Sequence, residues 1–421
     1  MRNYFISAGS AFLKHDLIKG SAIIFTGSMV VNVLNYGFHL ITGRMLGPEQ
    51  YAVLASLISL SYVINFPSTL LTTVVTNKVA ALYAKKDMPG IQGFLQVIGK
   101  NLVILTGLVI IGFWIFQRHI ASFLNIHDPN LVLLLGLGFA VSLISTVPLA
   151  AFQGLLKFTA YSVMQALFSL LRTGTAVIAI WFSYGVSGVL TGILGSAIVL
   201  TFGSFALLRR YLPGKARPMP FVAHAYTSKI WVMAALFGKG LLINIDVLLV
   251  KHFFEAHDAG LYAALATLGK IVLFFASSIS TVLLPIASKK HAEGKSTASE
   301  LLLAQGMIIF LSTGILGVYI AAPKLVIGML YGNAYFDVAP YLWMIGLYFM
   351  FYNLTYTYVN YFISGHHTRI LLAPLFAAAL QIGGILVYHG SFGEVLTVMN
   401  ITGAILMAIF TIYYIHYARK T

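Results

Sequence analysis

What most constrains this chain is a succession of apolar windows, each long enough to cross a bilayer. A spanning helix needs about 20 mostly apolar residues. Twelve windows meet that length: 18–41, 51–75, 99–117, 131–152, 160–182, 187–208, 230–253, 260–286, 300–321, 340–363, 370–389 and 395–415. A membrane barrel would show short alternating strands instead of such runs. The expectation is an all-α polytopic membrane protein of about 12 transmembrane helices. Little chain remains for a soluble domain, in keeping with 59% hydrophobic and 9% charged residues.

The net charge of +15 raises the question of nucleic acid, and its placement answers it. With the N-terminus in the cytoplasm, nineteen of the 26 Lys and Arg residues fall in inner segments. Arg44, Arg118, Lys251 and Lys324 fall outside, and Arg172, Lys239 and Lys270 fall within spans. That is the positive-inside bias; it predicts a multi-pass cell-membrane protein with both termini cytoplasmic and no nucleic-acid partner. With no cysteine, disulfides and thiolate metal sites are excluded. The first window has no small-x-small cleavage site after it and reads as an uncleaved helix. Before it, residues 3–17 set Phe5, Phe12 and Leu13 against Lys14, His15 and Asp16, the pattern of a short interfacial helix.

One stretch reads as a linker. Residues 209–229 hold Arg209, Arg210, Lys215 and Arg217 among Pro213, Pro218 and Pro220, without apolar periodicity. The domains expected are a cytoplasmic N-terminal segment (1–17), a six-helix lobe (18–208), the linker (209–229), a second six-helix lobe (230–415) and a cytoplasmic tail (416–421). A shift of 211 positions lays Asp246 on Asn35, Tyr262-Ala263 on Tyr51-Ala52 and Lys289 on Lys78. This suggests an internal duplication. With an even number of helices per half, the repeats run in the same sense about a pseudo-twofold axis along the membrane normal.

Ionisable groups inside apolar windows are expensive and usually face a wet, protein-lined path. Lys239 and Asp246 share one span and Lys270 lies in the next. Lys239 and Asp246 are seven residues apart, about 10 Å in rise, too far for an intimate pair without bending of the side chains. Asp246 is the single acidic residue within a span, hence the candidate H+ or Na+ site. In span five Gln165, Ser169 and Arg172 share a face. Arg172 reads as a buried ion pair, with a partner such as Asp246, as an anion site, or as both. Span one aligns Asn32, Asn35, His39 and Thr42, as interhelical hydrogen bonding or as cavity lining. Span ten aligns Tyr348, Tyr352, Tyr356 and Asn360, as helix packing or as a face for stacking and hydrogen-bonding sugars. Asn65-Phe66-Pro67 predicts a kink, and a hinge is the sharper reading. His366-His367, with no acidic or thiol neighbour in sequence, reads as solvated loop.

Several motifs together resemble a family. Arg44-Met45-Leu46-Gly47-Pro48-Glu49-Gln50-Tyr51 follows a first span with paired asparagines. Residues 118–130, the Gln153-Gly154 turn with Lys157-Phe158, and Asn244-x-Asp246 followed by Ala259-Gly260-Leu261-Tyr262 come after it in order. The chain is similar, from about residue 17 to 415, to the polysaccharide-transporter branch of the multidrug/oligosaccharidyl-lipid/polysaccharide (MOP) exporter superfamily, which includes the O-antigen flippases. The resemblance implies a MATE-like fold of two lobes around a cavity open alternately to either side, and no enzyme activity. It implies a polyprenyl-pyrophosphate-linked oligosaccharide as cargo, moved to the outer leaflet for cell-envelope polysaccharide, with other polysaccharide-assembly membrane proteins as candidate partners. On that reading Arg172, Lys239, Lys270 and Arg44 would meet the pyrophosphate. The sugar would meet Asn32, Asn35, His39, Gln165, Tyr348, Tyr352, Tyr356 and Asn360, and Asp246 would couple an ion. No cofactor is expected, since no Gly-x-x-x-x-Gly-Lys-[Ser/Thr] loop is present.

Three rivals share features with this reading. A drug exporter of the superfamily handles cationic cargo, which three intramembrane cations would repel. A peptidoglycan-precursor flippase usually has fourteen helices, more than the twelve windows here. A polymerase or ligase needs a large outer loop, and the longest outer connection, 322–339, has about 18 residues.

Overall fold

The computed structural model describes residues 2–212, 216–218, 230–292, 298–364 and 369–418. The chain order is α1 (Arg2–Ile64), α2 (Phe66–Ala84), α3 (Met88–Phe123), α4 (Asn130–Gly154), α5 (Phe158–Trp181), α6 (Gly185–Tyr211), α7 (Ile230–Phe253), α8 (Ala256–Ala292), α9 (Ala298–Ala321), α10 (Pro323–Leu330), α11 (Leu342–Ser364), α12 (Ala373–Val387) and α13 (Phe392–Ala418), with 3-10 turns at Asn333–Tyr341 and Arg369–Leu372. Most of the expected linker, the His366-His367 pair and the last three residues of the tail lie outside the described residues.

Among the described residues ten helices are long and apolar enough to cross a membrane, and an eleventh when the bent pair Thr26–Ile64 and Phe66–Ala84 counts as one span. These ten fall on the last ten expected windows. The first two windows fall together on the bent pair, and the reason is local. Gly47, at φ 73° and ψ 171°, is the non-helical point that divides α1 into residues 2–46 and 48–64. That conformation is essentially reserved for glycine, and Pro48 then suits the opening turn of the second piece. A second break at Asn65 turns the chain by 43° before Pro67, the kink expected from Asn65-Phe66-Pro67. Residues 3–17 are helical and run on into the first span, so no separate interfacial helix forms.

Contacts divide the chain into two compact units. One comprises residues 1–42, 67–120 and 128–226. Within it α6 packs on both α4 and α5, and a core of Val79, Ile91, Ala151 and Phe152 joins α2, α3 and α4. The described part of the linker is fastened to the turn after α2. Arg217 pairs with Asp87 at 2.5 Å, and its backbone N–H donates to the Pro89 carbonyl at 3.0 Å. Val103, Leu108 and Trp114 of α3 are largely exposed. In a helix of this length such a face belongs against lipid tails, which are as apolar as the side chains themselves.

The other unit comprises residues 43–66, 121–127 and 227–421. Here α11 packs against α8, α9 and α13, while α12 packs against α7 and α13. Small residues let α8 approach its neighbours closely. A side chain at Gly260 would run into the backbone of Pro48. Around that contact the Tyr51 hydroxyl lies 3.2 Å from both Thr267 Oγ1 and the Tyr331 hydroxyl, and Tyr335 donates to the Gly43 carbonyl at 2.6 Å. Segment 121–127 is held by the end of α7. Lys251 Nζ donates to the Asn125 carbonyl at 3.2 Å, and the His252 ring stacks on Phe123 at 4.2 Å.

Candidate functional site

In the first unit the polar faces of α1 and α5 meet at Asn35. Its Oδ1 accepts from Arg172 Nη2 at 3.0 Å and from Ser169 Oγ at 3.1 Å. The Arg172 guanidinium carbon lies 4.1 Å from the centroid of the Phe38 ring and 5.9 Å from that of Phe168. These three groups are neutral and orient the buried guanidinium through a hydrogen bond and two ring faces. The other residues of the two faces grade inward. Asn32 is exposed, His39 and Gln165 are half-buried, and Thr42 is buried with its hydroxyl on the Phe38 carbonyl at 2.7 Å.

In the second unit α7 supplies Lys239, Leu242, Asn244 and Asp246. Asp246 is wholly buried. Its Oδ2 accepts from the Tyr262 hydroxyl at 3.0 Å, while Oδ1 has no hydrogen-bond partner among the described residues. Lys270 Nζ, from α8, donates to Asn244 Oδ1 at 3.2 Å. Lys239 Nζ sits 3.3 Å from the centroid of the Tyr356 ring. Neither lysine reaches Asp246 within ion-pair distance, although Lys270 and Asp246 lie close enough to act on each other electrostatically. Their direct contacts are neutral groups, a ring for Lys239 and a side-chain amide for Lys270.

The four-residue row on α11 divides by environment. The Tyr348 hydroxyl donates to the Leu242 carbonyl at 2.6 Å and lies 2.9 Å from Gln381 Oε1. Gln381 Nε2 approaches the same carbonyl at 3.4 Å. Tyr348 is therefore engaged in joining α11 to α7 and α12. Tyr352 and Tyr356 line a small cavity with Lys239, and Asn360 is buried. Arg44 is exposed and donates to the Met329 carbonyl at 3.4 Å, a contact with α10 and not with either lysine.

Asn244, Tyr262, Gln381, Phe38 and Phe168 were not singled out from sequence as site residues. Two left a signal. Phe38 lies three residues from Asn35, and Phe168 four from Arg172, on the faces already identified. Gln381 left none, because its partner is a backbone carbonyl 139 residues away. Among the described residues no three His, Cys, Asp or Glu side chains gather as a metal site.

A family profile described as polysaccharide biosynthesis protein matches residues 41–340. No curated protein matches the chain. Among solved structures, an inward-facing multidrug-resistance MATE family transporter of the MOP superfamily superposes with a TM-score of 0.71 at 12% identity, over 93% of this chain and 95% of that one. The lipid II flippase MurJ in an inward closed conformation gives 0.68 at 16% identity, over 95% and 88%. A MOP superfamily transporter from Pyrococcus furiosus, described as having a binding pocket of reverse polarity, gives 0.63 at 14% identity, over 94% of each chain. At these identities the likeness is one of fold.

Proposed function

Since the chain belongs to the polysaccharide biosynthesis protein family and carries the MATE-like fold of the MOP superfamily, we propose that it is a flippase for polyprenyl-pyrophosphate-linked oligosaccharide. It moves this cargo by alternating access from the cytoplasmic to the outer leaflet of the cell membrane, for assembly of surface polysaccharide such as O-antigen, with both termini cytoplasmic. The supporting observation is the pairing pattern of the intramembrane cations. Lys239 rests on an aromatic ring and Lys270 on an amide oxygen, although a carboxylate is buried in the same unit. Charges that served only to neutralise each other would be paired. Charges kept on neutral partners suit an anionic cargo that comes and goes. Asp246, with one oxygen unpartnered, suits a proton or Na+.

Proteoliposomes loaded with lipid-linked oligosaccharide, with and without H+ or Na+ gradients, test this reading. Wild-type protein should expose the cargo to the opposite leaflet. Lys239→Ala and Lys270→Ala should abolish exposure, and Asp246→Asn should keep cargo binding while losing the dependence on the gradient. Movement of organic cations and not of the oligosaccharide would make the chain a drug exporter. A Lys239→Ala/Asp246→Ala double variant that regains the activity lost in each single variant would reduce these groups to a structural pair.

A further inference from the structure

The end of α9, α10 and the 3-10 turn after it frame an open cavity of about 650 Å³. That volume is in the range of small-molecule sites, about 300–1,000 Å³. Its wall includes Pro323, Lys324 and Leu325 at the start of α10, and Phe336, Asp337 and Pro340 of the turn. The turn is well fixed, since Tyr335, Val338 and Ala339 are buried and the Phe336 ring packs on Gly328 of α10. Lys324 and Asp337 are the two charged side chains of the wall, and both are exposed. They form no ion pair with each other, and neither has a side-chain hydrogen-bond partner among the described residues.

The surface beside this cavity is apolar. Phe310, Val318 and Ile320 of α9 are largely exposed, and so are Leu325 and Met329 of α10. A spanning helix turns such a face to lipid tails. The apolar span of α9 ends at Ala321, so the cavity stands where tails give way to headgroups. Its two separated charges suit neither a simple anion, which Asp337 would repel, nor a simple cation, which Lys324 would repel. They suit one ligand that carries both signs. A phosphate would meet the Lys324 ammonium in a charge-assisted bond. A ligand ammonium would meet the Asp337 carboxylate, with the Phe336 ring in the same wall for a cation–π contact.

We infer that this cavity binds a zwitterionic phospholipid of the leaflet it faces, one whose headgroup joins a phosphate to a primary ammonium. The acyl chains lie against Leu325 and the exposed face of α9. On the charge-based orientation that leaflet is the outer one. The inference is independent of the flippase reading. It needs α9 to span the membrane, and none of Lys239, Lys270 and Arg172 lines this cavity. A primary ammonium donates hydrogen bonds that a trimethylated one does not, so the site separates ethanolamine from choline headgroups. A glycerol headgroup brings no ammonium and sets its phosphate beside an uncompensated carboxylate.

Delipidated full-length protein in detergent, titrated with short-chain phosphatidylethanolamine, phosphatidylcholine and phosphatidylglycerol and followed by thermal shift, tests it. The ethanolamine lipid should saturate at concentrations about tenfold below the other two, roughly the worth of one hydrogen bond to a charged group. Lys324→Gln and Asp337→Asn should each weaken its binding by a similar factor. Asp337→Asn should also remove the preference over the glycerol lipid, a change of selectivity that a merely structural role does not give. Both side chains are exposed, so without lipid the unfolding midpoint should stay at the wild-type value. Free phosphoethanolamine should bind more weakly than the lipid, and equal binding would make the ligand a soluble one and overturn the lipid site. Three lipids acting alike on the wild type, or the ethanolamine preference surviving in both variants, overturns it as well.

Discussion

Among the described residues Asp246 has one side-chain hydrogen-bond donor. The Tyr262 hydroxyl is the side-chain donor to its buried carboxylate, and a buried acceptor stripped of its partner costs about 1–3 kcal/mol. Tyr262→Phe should therefore lower stability by that amount in detergent unfolding, and an unchanged midpoint would show that the bond carries nothing. Arg172 makes a second case. Arg172→Lys keeps the charge but loses the planar fork that reaches Asn35 and the flat stacking on Phe38. A double-variant cycle over Asn35→Ala and Arg172→Lys should return a coupling of about 1–2 kcal/mol. Additive single effects would mean that the contact is incidental. Residue types and spacing were enough to bring Asn35, Ser169 and Arg172 forward, because faces of one helix are set by its period. Which neutral groups would receive each cation was hidden, since Asn244 and Tyr356 reach their lysines only through packing of α7 on α8 and α11.

At the scale of elements, two glycines govern how α1 and α8 are shaped. Gly47→Ala places a side chain where only glycine sits comfortably, at about 1–3 kcal/mol. Gly260→Ala drives a methyl group into the Pro48 backbone, which cannot turn away as a side chain would, with an overpacking cost of about 1–3 kcal/mol. Both should lower the folded yield on size exclusion. Gly37→Ala, where an added methyl meets nothing within 4 Å, should match wild type or exceed it. The Gly47-Pro48 turn was readable because its chemistry is local. The seat of Gly260 was not, because the Pro48 carbonyl that crowds it is more than two hundred positions away in sequence.

For the whole molecule, the ten later spans were legible as long apolar runs, a signal independent of partners. The first two differ only in being joined through a glycine break and a proline bend. The orientation proposed from charge is tested by labelling, for which a cysteine-free chain is suited. Asp128→Cys and Asp337→Cys should react with an impermeant thiol reagent in intact cells, and Lys85→Cys should react only after permeabilisation. Labelling of position 85 from outside would reverse the chain in the membrane. How far the two compact units follow the proposed boundary at 209–229 was not written in composition, because residues 43–66 and 121–127 are grouped by contacts with residues far along the chain.

The Leu242 carbonyl, approached by both Tyr348 and Gln381, sits three residues after Lys239 and four before Asp246. Lys239 stands on one side of that anchor and Asp246 on the other, so a single backbone oxygen sets the register of both charges against α11 and α12. Gln381→Ala removes one of its two donors and should lower the unfolding midpoint in detergent by an amount equivalent to about 1 kcal/mol.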